Sequence, residues 1–259
     1  MIYDIRREQS ATIPDGVRAQ RRLQTLAKVN DAALRLISQR SVDGWTMADL
    51  ARDVGLTPGA FYRYFQSKEE IIATVQITVL RDLMSAWRWS EQRVLEHSQA
   101  SHMTPVARLL VAAAVYQRLS VESPHRFALL TMSITSPTDV LSDEALAPVS
   151  EATLALLTRF TWIMTDARRS GHFHGEQGDE SVDHDRAAQW VFAQQGLLQL
   201  HRLNQRIPGL ADISRALRSL QDDLLCAWGV RTEVLAEARK LIESAPDELA
   251  QEPVSVAQS

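Results

Sequence analysis

Residues 46–70 read TMADLARDVGLTPGAFYRYFQSKEE, and this stretch decides the fold of the front of the chain. Thr46 and Asp49 stand at capping-box spacing, so a helix of barely two turns begins there. Leu50, Ala51 and Val54 form its inner face, with Ala51 small where a second helix crosses closely. Gly55 takes the corner, where a left-handed backbone costs glycine least, and Leu56 plugs it. Thr57 caps the next helix and Pro58 occupies its first turn. Phe61 and Phe65 anchor that helix inward, which leaves Pro58, Gly59, Ala60, Tyr62 and Arg63 facing outward or sideways. The spacing predicts a helix-turn-helix over roughly residues 46–65. A long helix then starts at Ser67, capped by that hydroxyl and by Glu70 three residues on.

A two-helix unit of this size lays its second helix in a DNA major groove while the first lies across the phosphates. Tyr62 is then placed for a phosphate or thymine-methyl contact, and Gly59 and Ala60 let the backbone approach the bases. Tyr64 and Lys68 are expected on phosphates. Lys68 sits in the first turn of the following helix, where the free amides favour an anion and a cation is otherwise a poor choice.

Outward from this segment the chain reads as helix nearly throughout. Ten glycines in 259 residues and apolar side chains recurring at three and four positions make the fold class all-α. Leu26, Val29, Ala33, Leu36 and Ile37 form the stripe of a first helix from about Ala19 to Arg40. The helix from Ser67 carries Ile72, Val75, Val79, Leu83 and Trp87. Thr104-Pro105, Ser123-Pro124, Ser142-Asp143-Glu144 and Ser181-Val182-Asp183 mark further helix starts. The helix from Ser142 runs to about Arg169, and the next to about Gln205 before Pro208-Gly209. A further helix bears Ile213, Leu217, Leu220, Leu224 and Trp228 and stops at Gly229, and a last one spans Thr232 to about Ile242. The expected organisation is a basic arm at 1–18, flexible and rich in arginine (Arg6, Arg7, Arg18), a helix-turn-helix domain at 19–66, a larger helical domain at 67–244 and a disordered tail at 245–259. Arg21 and Arg22 extend the basic run. The arm reads equally well as a DNA contact or as a plain tail.

Charge follows the same division. Residues 1–68 hold 11 Lys/Arg against 7 Asp/Glu, and residues 69–259 hold 17 against 25. A basic front on an acidic body fits a protein that touches nucleic acid at one end. No apolar run is long enough for a membrane span and the first twenty residues are too charged for a secretory signal, so the expected compartment is the cytosol. Cys226 is the single cysteine, which excludes a disulfide within the chain; it reads as a small core or interface residue.

The pattern Thr-x-x-x-Leu-Ala-x-x-x-Gly-Leu-Thr-x-Gly-Ala-Phe-Tyr-Arg-Tyr-Phe-x-x-Lys-Glu resembles the N-terminal signature of the TetR family of repressors, over about 50 residues. The resemblance implies backbone contacts from Thr46, Thr57, Tyr62, Tyr64 and Lys68, and places Ala48, Pro58 and Gly59 near base edges. It departs from many members at Pro58 and Tyr64, where lysine and histidine are common. It also implies a helical effector domain and a homodimer through the last two long helices, here about 182–205 and 211–228, on a palindromic double-stranded DNA operator. The broad apolar stripes of those helices, with Trp190, Leu197, Leu200, Leu217, Leu220, Leu224 and Trp228, fit such an interface. Candidate effector residues are Trp87, Tyr116, Phe127, Met132, Trp162 and Trp190, with Gln194 as a polar contact for a small apolar or aromatic molecule. The implied function is a ligand-responsive transcriptional regulator, commonly a repressor.

The segment GHFHGEQGDESVDHD, residues 171–185, brings His172, His174, Glu176, His184 and Asp185 together. Such density can ligate a divalent metal, yet Gly171, Gly175 and Gly178 make it read as a solvated, mobile connection, so no metal and no cofactor is expected. No phosphate loop, nucleophile elbow or His-x-x-x-His pair points to an enzyme. The alternative to the regulator is a ligand-independent architectural or division-control protein with the same DNA-binding head, which predicts a filled effector domain.

Overall fold

The computed structural model describes residues 17–40, 42–98, 103–135, 140–174, 180–207 and 209–244, and among these there are eleven helices and no strand. They are α1 Val17–Arg40, α2 Met47–Asp53, α3 Pro58–Phe61, α4 Lys68–Ser98, α5 Pro105–Glu122, α6 Pro124–Thr135, α7 Asp143–Arg169, α8 Glu180–Gln199, α9 His201–Arg206, α10 Ile213–Ala227 and α11 Thr232–Glu243. Two compact units divide at Ile72 and Ala73, six residues beyond the expected boundary. Ile71 and Ile72, near the start of α4, are buried and still belong to the first unit. Arg18, expected in the arm, lies within α1, whereas Arg6, Arg7, Glu176, Pro208 and the tail 245–259 lie outside the described residues.

In the first unit each short helix is closed by local chemistry. The Asp49 amide donates to Thr46 Oγ1 at 3.2 Å and the Thr46 amide to the Asp49 carboxylate at 3.0 Å, a complete capping box. At the other end of α2 the Leu56 amide reaches Ala51 O at 2.9 Å and the Gly55 amide reaches Arg52 O at 3.2 Å. These two bonds form a Schellman stop, and Gly55 supplies the left-handed residue it needs at φ +72°. Thr57 Oγ1 then accepts from the Ala60 amide at 3.3 Å to start α3. Val29, Ala33, Leu36, Leu50, Ala51, Phe61 and Phe65 are buried, with the two phenyl centroids 5.8 Å apart. Ser67 caps α4 through the Glu70 amide at 3.1 Å, while the Glu70 carboxylate accepts from the Gln66 amide at 2.7 Å.

In the second unit α7 lies along α8, α10 packs on α8, and α11 folds back on α5. Asp183 was expected to help cap α8; the helix instead starts at Glu180, and Asp183 faces inward with no exposed surface. Its carboxylate accepts from Arg168 Nη2 at 2.7 Å and Thr165 Oγ1 at 2.9 Å, which ties α8 to α7. The expected helix to Gln205 is broken at Leu200, so α9 is separate.

Residues 170–174 are likewise built in and do not form a loose connection. Phe173 is buried against Trp228, centroids 5.6 Å apart, and the His174 amide donates to Trp228 O at 2.7 Å. Gly229, at φ +113°, has room for no side chain because a Cβ there would sit 2.7 Å from the His174 ring. The His172 ring meets Ser170 Oγ at 2.8 Å.

Replacing Asp183 by Ala leaves the Arg168 guanidinium buried without its counter-charge. The expected loss is about 3–5 kcal/mol, read by denaturant unfolding, with the unit's transition the one that moves. Acid acts on the α2 cap. The Thr46 hydrogen bonds hold the Asp49 carboxyl below its ordinary 3.8, so its contribution is complete above that value and is lost as pH falls through the lowered one. The stability gap between wild type and Thr46→Val, read by urea unfolding, is therefore expected to stay constant at neutral pH and to narrow below pH 3.8.

Candidate nucleic-acid interface and internal cavity

Six of the nine residues expected to meet DNA are exposed. Thr46, Ala48, Thr57, Pro58, Gly59 and Tyr62 are exposed, Tyr62 by 52%, while Ala60, Tyr64 and Lys68 are half-buried. A methyl group added at Gly59 would meet nothing within 4 Å, so the first turn of α3 offers an open backbone. Close approach of a polynucleotide is thus sterically free at Pro58, Gly59 and Ala60. Arg63 is exposed beside them, and Arg52 lies on the outer face of α2.

Lys68 has an internal role that its position alone does not reveal. Its Nζ donates to Trp45 O at 2.8 Å and stands 4.5 Å from the centroid of the Trp45 ring. Trp45 is buried at 2% exposure, so the lysine closes the loop between α1 and α2 over an aromatic core residue. The acidic residues that suit a helix start are supplied next to it by Glu69 and Glu70. A cation in that first turn therefore has a structural cause without any bound anion.

The second unit holds a cavity of about 360 Å³, partly open to the surface and walled by α4, α5, α6, α7 and α8. Of the expected effector residues, Trp87, Tyr116, Trp190 and Gln194 line it. Phe127 lies behind the wall, its ring 5.3 Å from that of Tyr116, and Met132 is not part of the lining. Trp162 is 72% exposed on the surface of α7, because it stands on the side of that helix away from the buried Phe160, Ile163 and Met164. Sequence reasoning missed Gln76, Gln195 and the α7 row of Val149, Thr153 and Leu157. The available signal was polar glutamines at 76, 194 and 195 on helix faces that are otherwise apolar.

The polar groups of the wall are mostly engaged with each other. Gln221 Nε2 donates to Gln194 Oε1 at 2.8 Å, Gln194 Nε2 to Trp190 O at 2.7 Å, and Gln76 Nε2 to Leu129 O at 2.7 Å. The Tyr116 hydroxyl points to Gln195 Oε1 at 3.5 Å, and burial pushes its phenol up from the ordinary range, so it stays a neutral donor. The Trp87 and Trp190 N–H groups are different: both are buried and neither has an acceptor among the described residues. A buried donor left unmatched costs about 1–3 kcal/mol. Trp87 is held in place by Phe160, stacked at 4.7 Å, and by Arg159, whose guanidinium carbon lies 4.3 Å from the ring centroid.

Elsewhere the structure corrects two expectations. Trp190, Leu217 and Trp228 are buried in the chain's own core, so the inner stripe of α10 is not available to a partner. Its outer positions Arg215, Arg218, Ser219 and Asp223 are polar and exposed. Cys226, read as a core or interface residue, is exposed on that outer side, which removes the core half of that reading. Among the described residues no three His, Cys, Asp or Glu side chains come together as a metal site, and no helix is long and apolar enough to cross a membrane.

Comparison with known proteins agrees with this geometry. Residues 30–75 match the family described as bacterial regulatory proteins, tetR family. The HTH-type transcriptional regulator BetI of Burkholderia thailandensis is 31% identical over 110 residues, covering 42% of this chain and 51% of BetI. BetI of Burkholderia cenocepacia is 33% identical over the same shares. The chain thus spans about half the length of the curated relatives it matches, and these are regulators and not enzymes. A tetR-family regulatory protein from Rhodococcus RHA1 superposes with a TM-score of 0.54 at 16% identity, over 80% of this chain and 98% of that one. FadR from Bacillus subtilis, solved in complex with stearoyl-CoA, gives 0.55 at 16% identity over 79% and 98%. At that identity the two structures establish the fold, and it is the helix-turn-helix segment, residues 30–75, that matches the tetR family of bacterial regulatory proteins.

Proposed function

We propose that the protein is a ligand-responsive transcriptional regulator, a repressor that binds a palindromic operator as a homodimer in the cytosol and releases it when a small apolar or aromatic effector occupies the second unit. The observation that carries this reading is the internal cavity of about 360 Å³ in a chain whose other unit is a helix-turn-helix. The architectural alternative predicts a filled helical domain, and the cavity counts against it. On the operator, Tyr62, Tyr64, Thr46 and Thr57 contact phosphates while Ala48, Pro58, Gly59 and Ala60 lie near base edges. Lys68 adds charge from its place over Trp45.

The dimer surface fits α7 and α8 better than α10. Leu154 and Trp162 on α7 and Phe192 on α8, with Leu200 just past its end, are exposed at 57%, 72%, 44% and 40%. Apolar side chains of this size in solvent on two adjacent helices suit a self-complementary interface. The effector acts by favouring one arrangement of the dimer over another, since a ligand shifts an equilibrium only through its different affinity for the two states.

Selection from a random duplex pool at fixed salt is expected to return a palindromic consensus, and recovery of unselected sequence would refute specific regulation. On the selected duplex, Tyr62→Ala should bind about tenfold more weakly at unchanged melting temperature, because the side chain is exposed. Undiminished binding would move the DNA face elsewhere. For the interface, Trp162→Glu is expected to turn a dimer into a monomer in sedimentation velocity, and an unchanged dimer would exclude this face.

A further inference from the structure

We propose that the effector cavity is completed by a second copy of the chain: its mouth opens onto the dimer face, and the partner's helices supply the missing wall, so that a ligand is held between two copies. The proposal rests on the dimer and effector readings above and joins them into one site.

The position of the mouth carries it. Of the side chains that line the cavity, those on α4, α5 and α6 are buried or half-buried, and the exposed ones are Ser150 and Leu154 on α7 and Phe192 on α8. The opening therefore lies along the seam between α7 and α8. Leu154 and Phe192 each stand about three turns from the contact between Thr165 and Asp183, on helices that run in opposite directions, so they flank the seam at one level. Leu154 shares its side of α7 with Trp162, about two turns on, and Phe192 shares its side of α8 with Leu200, about two turns on. The same surface thus borders the cavity and carries the exposed apolar side chains.

A second copy fits this surface. Trp162, Leu154, Phe192 and Leu200 offer roughly 400 Å² of exposed apolar area, about half of what one partner contributes to a standard interface. Ala155, Thr158, Gln189 and Gln199, exposed around them, extend the area and carry no charge. In a two-fold contact a residue near the axis meets its own counterpart, so a charge there repels itself and an uncharged strip does not.

Gly196 gives the contact a shape. It is helical and exposed, one turn beyond Phe192 and one turn before Leu200, and a Cβ there would meet nothing within 4 Å in its own chain. Glycine is a poor helix former, and the packing of this chain does not call for one here. It leaves a notch in the surface of α8. Two α8 helices that cross between these positions set Phe192 of each copy on Gly196 of the partner subunit, which lays the second α8 across the mouth. A ligand walled by both copies binds the dimer better than the monomer, and by linkage it strengthens the dimer by the same factor.

The test uses the full chain and N-phenyl-1-naphthylamine, a neutral apolar fluorophore, titrated into wild type and into Trp162→Glu and Gly196→Leu, two positions outside the cavity lining. Both variants are expected to be folded monomers by circular dichroism and sedimentation velocity, and to bind the fluorophore at least about tenfold more weakly than the dimer. Wild type diluted to the monomer gives the same comparison without a substitution. The reciprocal effect is a dimer dissociation constant lowered by the fluorophore. Monomers that bind as tightly as the dimer, or a wild-type dimer that does not bind the fluorophore, would overturn the shared site. The mouth is also read without a ligand. With Cys226→Ser removing the native thiol, Leu154→Cys is expected to react with a maleimide about tenfold more slowly in the dimer than after Trp162→Glu is added, and equal rates would leave the mouth uncovered and overturn the proposal. Adding the selected duplex separates the readings: a fluorophore bound only by the dimer that leaves DNA affinity unchanged removes the regulatory reading while the shared site stands.

Discussion

The Asp183 carboxylate is the fixed point of the second unit. It has no contact with water, and Arg168 and Thr165 of α7 supply its hydrogen bonds. An ion pair in so dry a place tolerates little displacement, because the Arg168 and Asp183 charges lose each other's compensation when the helices slide. The register of α8 against α7 therefore follows from this contact. Trp190 stands seven residues, two turns, beyond Asp183, and Leu157 two turns back from Thr165, so the pin also sets which side chains face each other across the cavity.

The two units solve different problems with the same material. In the first, a small number of buried aromatics is enough, because caps and a Schellman stop fix both ends of α2 and the starts of α3 and α4 within a few residues. Local hydrogen bonds make the backbone rigid and leave the outer face of α3 nearly bare. In the second, long helices enclose more volume than their side chains fill. Trp87, stacked on Phe160 and covered by Arg159, and Trp190, set 6.2 Å from Trp228, act as props that keep the walls apart. Large rigid rings hold a void open where a column of leucines would pack it shut.

What the sequence disclosed divides along the same line. Thr46, Asp49, Gly55, Thr57 and Pro58 announce their roles because each acts on residues three or four places away, so their spacing is the interaction. Trp45 and Lys68 are 23 residues apart, and nothing in their spacing tells that the ammonium lies on the indole; the lysine was legible only as a charge at a helix start. Four of the seven residues in the effector pool line the cavity, for the simple reason that large aromatics on the inner faces of long helices tend to meet. Trp162 belonged to the same pool by size, but its angle around α7 turns it to solvent. The inner stripe of α10 was legible as apolar and not as already covered, since α11, which folds back on α5, and Phe173, which packs on Trp228, come from distant parts of the chain.

Trp45 is the sole tryptophan before residue 72, and the other five lie in the second unit. Its emission is therefore an optical signal of the DNA-reading unit alone, once those five are replaced by phenylalanine. The Lys68 ammonium 4.5 Å from the ring centroid imposes an electric field on that chromophore. Drawing the ammonium off the ring would remove that field and shift the colour, so the emission wavelength of Trp45 reports whether Lys68 keeps its place over the indole.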